Sequence, residues 1–138
     1  MNRDDIAKRL PHGPGMVLLD RVVAWSADRI VCGADSHRAA ANPLRTARGL
    51  SPLAGIEYAG QAIALHAALA SGGPLAGGVF AAIRDVRWQP ADLSAAGGEL
   101  IVEGEQLARS PAAATYRFRV RLGEREVLSG TALVAFRK

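Results

Sequence analysis

The period of the apolar positions along this chain switches from two to helical and back to two. From 16 to 25 an apolar, β-branched run predicts a strand, 26–29 a hairpin turn, and 30–37 a returning strand. Periodicity is lost over 38–50, where Asn42-Pro43 signals a turn, so a loop is expected. From 51 to 71 the sequence is apolar on nearly every side, the pattern of a helix enclosed by other structure. Ser51 suits its cap, Pro52 its first position, and Gly72-Gly73-Pro74 its end. Strands are then predicted over 79–88, 99–108, 115–122 and 126–136. The third alternates most cleanly, with Tyr116, Phe118, Val120 and Leu122 inward and Arg117, Arg119 and Arg121 outward. A short helix over 4–10, closed by Pro11, and a turn over 12–15 precede all of this.

Two strands, one long helix and four more strands predict a single α+β domain over 1–138. An antiparallel run needs one face covered, and one helix is on offer, so a sheet of about six strands should curl around it. Edge strands stay open in that arrangement, which makes dimerisation a natural expectation.

At 138 residues, 49% of them apolar, the chain is large enough for a real core. A lone cysteine, Cys32, excludes a disulfide framework or a cysteine metal cluster within one chain and fits a reducing compartment. The N-terminal residues alternate in charge without an apolar core, unlike a signal peptide. Glu57, Gln61 and His66 argue against a membrane span at 52–70, so a soluble cytoplasmic protein is expected. The formal charge of +4 is carried almost entirely by arginine, crowded at Arg38, Arg45 and Arg48 and along 117–121. Such an excess serves either as a solvated face or as an attraction for an acidic or phosphate-bearing partner. Nucleic acid is not indicated, because there is no recognisable nucleic-acid motif and few aromatics are interleaved with the basic residues.

Serine nucleophile motifs, phosphate-binding glycine loops and paired metal histidines are absent. The feature that needs explaining is Glu57, a carboxylate inside an apolar helix, with Gln61 one turn later. His66 lies nine residues beyond Glu57 and faces the other side, so it reads as structural or solvent-facing. His12, in a turn, reads as structural. His37, where a strand enters the loop before the helix, is the histidine to weigh with Glu57. An imidazole base, a carboxyl acid and the N–H donors of a helix start suit proton abstraction beside a thioester carbonyl with departure of a β-hydroxyl. The competing reading is a Glu57 that only hydrogen-bonds in the core or at a dimer contact.

Two motifs carry a family resemblance. Leu10-Pro-His-Gly-Pro-Gly-Met-Val-Leu-Leu-Asp-Arg-Val22 resembles the entrance motif of hotdog-fold 3-hydroxyacyl-[acyl-carrier-protein] dehydratases, and Glu57-Tyr-Ala-Gly-Gln61-Ala resembles their helix motif Glu-x-x-x-Gln-Ala. The likeness is strongest to the short members found beside fatty-acid-like or aryl-polyene synthesis genes. It implies a hotdog fold, His37 and Glu57 as catalytic residues, Gln61 in support, and backbone N–H groups near Gly55 receiving the thioester oxygen. It further implies a site between subunits, histidine from one and carboxyl from the other, and an acyl chain delivered on phosphopantetheine by an acidic acyl carrier protein. No cofactor or metal is implied. The family stretch Gly-His-Phe-Pro-Gly is replaced by 36–45 here, and His37 lies farther from the helix carboxyl. Two alternatives accompany the dehydratase reading. One is a hotdog thioesterase; the other is a non-catalytic hotdog subunit completing an active partner.

Overall fold

The computed structural model describes residues 1–10, 14–71, 78–95 and 97–136. The chain begins with helix α1 (Arg3–Ala7), followed by strands β1 (Arg21–Trp25) and β2 (Arg29–Ala34), helix α2 (Gly55–Ser71), and strands β3 (Gly78–Trp88), β4 (Leu100–Arg109), β5 (Ala113–Leu122) and β6 (Arg125–Phe136). All six strands form one antiparallel sheet in the order β1-β2-β4-β5-β6-β3. The helix packs on β2, β4 and β5 at its centre.

No residue of α2 from Gly55 to Leu69 is exposed, as an all-round apolar sequence requires. The inward row of β5 is equally dry: Tyr116, Phe118 and Val120 are buried, while Arg117 and Arg119 on the opposite face are exposed. Each large side chain so buried contributes roughly 1.5–3 kcal/mol. Gly130 leaves room for the Phe118 ring, since a Cβ there would lie 2.6 Å from Phe118 Cζ. Cys32, opposite Val22 on β1 and Val102 on β4, is fully buried, and burial pushes its thiol up to about 12.

The outer face carries a charge ladder. Glu103 on β4 is buried beneath Arg29, Arg119 and Arg121, at 3.2, 2.8 and 2.5 Å. Burial presses its carboxyl upward, but the hydrogen bonds from Arg119 and Arg121 outweigh this and hold it below the ordinary range.

Two strands are shorter than the periodicity predicts. The first begins at Arg21 rather than at 16, because backbone groups of the preceding residues are taken by a side chain, Gln61, instead of a neighbouring strand. The second ends at Ala34, where the Asp20 carboxylate accepts the Asp35 N–H at 2.6 Å and turns the chain into a 3₁₀ segment, Ser36–Arg38. Of the turn expected at 12–15, residues 14 and 15 open a 3₁₀ segment, Pro14–Met16, while 12 and 13, like the glycine stop after the long helix, lie outside the described residues.

Strand β3 is a sheet edge with a bulge at Asp85, which has φ of 53° and falls in a shift of register between Arg84 and Arg87. Among the described residues no helix is long and apolar enough to cross a membrane.

Candidate active site

Ser51 accepts the Leu53 N–H at 3.2 Å, and a 3₁₀ turn, Pro52–Ala54, leads into α2. The Gly55 N–H is turned back onto the Pro52 and Leu53 carbonyls within that turn. Gly55 is a glycine for a packing reason: a Cβ would stand 2.7 Å from Leu128 Cδ2 and 3.2 Å from Val120 Cγ2. The helix start therefore rests directly on β5 and β6. Two residues on, in the first turn of α2, Glu57 is half-buried and lines a cleft of about 430 Å³ with Leu44, Thr46, Ser51, Leu53, Ala54 and Ile56. The loop that closes this cleft is held by Asp92, whose carboxylate accepts the Leu50 N–H at 2.9 Å and the Ser94 hydroxyl at 2.6 Å. Those hydrogen bonds, from the Leu50 backbone first, keep Asp92 below the ordinary carboxylate range.

His37 sits on the 3₁₀ turn after β2 and is fully buried, yet neither ring nitrogen has a hydrogen-bond partner among the described residues. Burial pushes its pKa down, and Arg38 adds to this; the Gly98 backbone and the carboxylates of Asp35 and Asp20 act weakly the other way. The Gly98 backbone favours the charged ring without meeting the geometry of a hydrogen bond. The result is an imidazole that is neutral at pH 7 with a free lone pair, the state a general base needs. Within one chain His37 and Glu57 share no hydrogen bond.

Gln61 is buried between the helix and the entrance segment. Its Oε1 accepts the Leu18 N–H at 2.8 Å, and its Nε2 donates to the Met16 carbonyl at 2.6 Å. Leu18 in turn accepts the Ser36 hydroxyl at 2.6 Å. The two sequence motifs are thus one mechanical unit: Gln61 fixes residues 16–18, and these, with Asp20, fix the turn that carries His37. Ser36, Asn42, Tyr58 and Asp20 are site residues that sequence reasoning misses. Asp20 and Tyr58 lie inside the quoted motifs, and Asn42 shows only as a turn residue.

His66 has a different life. Its Nε2 lies 2.9 Å from the Ser26 carbonyl, which can only accept, so Nε2 carries the proton and Nδ1 accepts from the Tyr116 hydroxyl at 2.6 Å. Both nitrogens are consumed in the core, as its place on the far side of the helix predicts. His12 lies outside the described residues. No group of three or more metal-ligating side chains occurs among the described residues.

Comparison with solved structures shows the same architecture repeatedly. The dehydratase heterocomplex ApeI:P from Xenorhabdus doucetiae is 20% identical, with TM-score 0.84 over 96% of this chain and 91% of that one. A hypothetical thioesterase with coenzyme A from Streptococcus pneumoniae TIGR4 is 13% identical, with TM-score 0.63 over 85% and 84%. A mutant form of the thioesterase PA1618 from Pseudomonas aeruginosa is 9% identical, with TM-score 0.66 over 98% and 93%. These likenesses establish the hotdog fold. No curated protein matches the chain. The ApeP-like family, described as ApeP dehydratase, matches residues 4–137, and the chain belongs to that family of dehydratases.

Proposed function

We propose that this chain dehydrates 3-hydroxyacyl thioesters, carried on an acyl carrier protein, to trans-2-enoyl thioesters. The observation that carries this reading is His37, a buried, neutral imidazole with both nitrogens unengaged, alongside a half-buried carboxyl at the rim of a cleft by a helix start. His37 takes the proton from the carbon next to the thioester carbonyl. The Glu57 carboxyl gives its proton to the β-hydroxyl as the C–O bond breaks, and water leaves. The imidazolium then returns the proton to Glu57, which restores both groups.

On this reading the reaction takes place at a contact between two hotdog chains, an arrangement supported by the likeness to a dehydratase heterocomplex. His37 of one then serves the carboxyl of the other. The partner is a second copy or, in the manner of the ApeI:P heterocomplex, a different hotdog subunit. Arg45 and Arg48, exposed on the loop that lines the cleft, face the approach of an acidic carrier protein and its phosphopantetheine arm. The place of work on this reading is the cytoplasm.

The thioesterases among the structural neighbours make hydrolysis the rival outcome. Product analysis on a 3-hydroxyacyl carrier protein separates them, since dehydration yields an enoyl thioester and hydrolysis a free thiol. Glu57→Gln and His37→Ala should each lower turnover by about 10²-fold or more with an unchanged circular dichroism spectrum. Wild-type rates in both variants would sink the assignment.

A further inference from the structure

Most catalytic histidines are aimed by a hydrogen bond to the far ring nitrogen. His37 has no such bond, so its direction has to come from the backbone turn that carries it and from the side chains packed around it. That turn is tied to α2 through a closed network. Tyr58, next to Glu57 on the helix, is fully buried, and its hydroxyl lies 2.7 Å from Ser36 Oγ and 3.0 Å from Asn42 Nδ2. The single proton of Ser36 Oγ goes to the Leu18 carbonyl at 2.6 Å, so the Tyr58 hydroxyl donates to Ser36 and accepts from Asn42. Asn42 Nδ2 donates its other proton to the Ser36 carbonyl at 2.9 Å, while Asn42 Oδ1 accepts the Leu44 N–H at 2.8 Å. Ser36 immediately precedes His37, and Leu44 opens the loop that lines the cleft. One phenol therefore references both the histidine turn and the cleft wall to the helix bearing the carboxyl.

From this we infer that Tyr58, assisted by Asn42, is a positioning residue that fixes the turn carrying His37 to α2 of its own chain, and so sets the direction in which the ring is presented to the site it shares with a neighbouring chain. Its catalytic consequence rests on the dehydratase reading; its structural consequence rests on the hydrogen bonds alone. Tyr116 supplies a matched control, being an equally buried tyrosine whose hydroxyl bonds His66 at 2.6 Å and Gln106 at 3.0 Å on the far side of α2.

The test compares Tyr58→Phe, Tyr116→Phe and wild type in two readouts. Titration of the histidine rings by NMR, with the His37 signal assigned through His37→Gln, should show the His37 pKa rising toward the ordinary imidazole range in Tyr58→Phe, as the loosened turn admits water. Dehydration should show kcat falling on the order of tenfold to a hundredfold in that variant with KM nearly unchanged. Tyr116→Phe should move neither. An unmoved His37 titration together with wild-type kcat in Tyr58→Phe overturns the inference. If wild type turns over no 3-hydroxyacyl thioester, the dehydratase reading fails and the ring titration alone decides the positioning role. Ser36→Ala cuts the same tie from the other side and replaces Tyr58→Phe should that variant not fold.

Discussion

Two buried histidines divide the labour of this chain, and hydrogen bonding tells them apart. His66 gives both nitrogens to the core; His37 gives neither. Burial pushes the pKa of each down, against weaker opposing backbone contacts at Ser26 for His66 and Gly98 for His37. The sign of the consequence follows from linkage. With folded values below the unfolded value of about 6.5, the unfolded chain takes up protons first. The stabilisation is therefore whole above about pH 6.5 and is lost as pH falls from there through the folded values. Asp92 and Glu103, held below their ordinary range, contribute a loss only below about pH 4.5, so the window above that belongs to the histidines. We expect the urea midpoint to fall between pH 7.5 and pH 5, and the fall to be shallower in His66→Gln. A slope that His66→Gln leaves unaltered would assign the loss elsewhere.

Among the elements, the helix and β5 are the most legible parts of the sequence, because their patterns are set by burial on all sides and on alternate sides respectively. The entrance segment reads as strand and is not one. Val17, Leu18 and Leu19 are buried there, but a side-chain amide partners the backbone of the segment, and residue periodicity does not reveal this. The pairing of Glu57 with His37 is only half legible for a similar reason: sequence places each on its element, while on the proposed reading the two meet only across a contact between chains. The Glu103 ladder is legible only through Arg119 and Arg121, two of the outward arginines of β5; Arg29 joins them from β2. Their shared carboxylate comes from β4, and β4–β5 register brings Glu103 opposite Arg119. Glu103→Ala leaves three guanidinium groups crowded on one another. The arginines are 28–52% exposed, so solvent screens much of that cost; about 2 kcal/mol of stability should be lost, read from the same urea curves. A neutral effect would mean that the ladder is surface charge and no more.

At the scale of the whole molecule, β3 lies at the edge of the sheet, and the proposed reading gives that molecule a second hotdog chain as its partner. Charge then governs how substrate arrives. Arg45 and Arg48 form no ion pair among the described residues, which leaves their charge available to a partner. Added salt should slow turnover of carrier-bound substrate by lowering the association rate, and leave turnover of a small pantetheine thioester nearly unchanged. Arg45→Glu with Arg48→Glu should reproduce the salt effect at low ionic strength. Equal salt sensitivity for both substrates would remove the carrier protein from the picture.

Cys32 adds a property of another kind. The sole thiol of the chain sits in the middle of β2, fully buried between two neighbouring strands and with its pKa pushed up to about 12. It can meet an alkylating reagent only when the sheet parts and the sulfur ionises in water. Its labelling rate is then the rate of the exposed thiol scaled by the fraction of time the sheet stands open, so the fold carries an internal clock of its own opening.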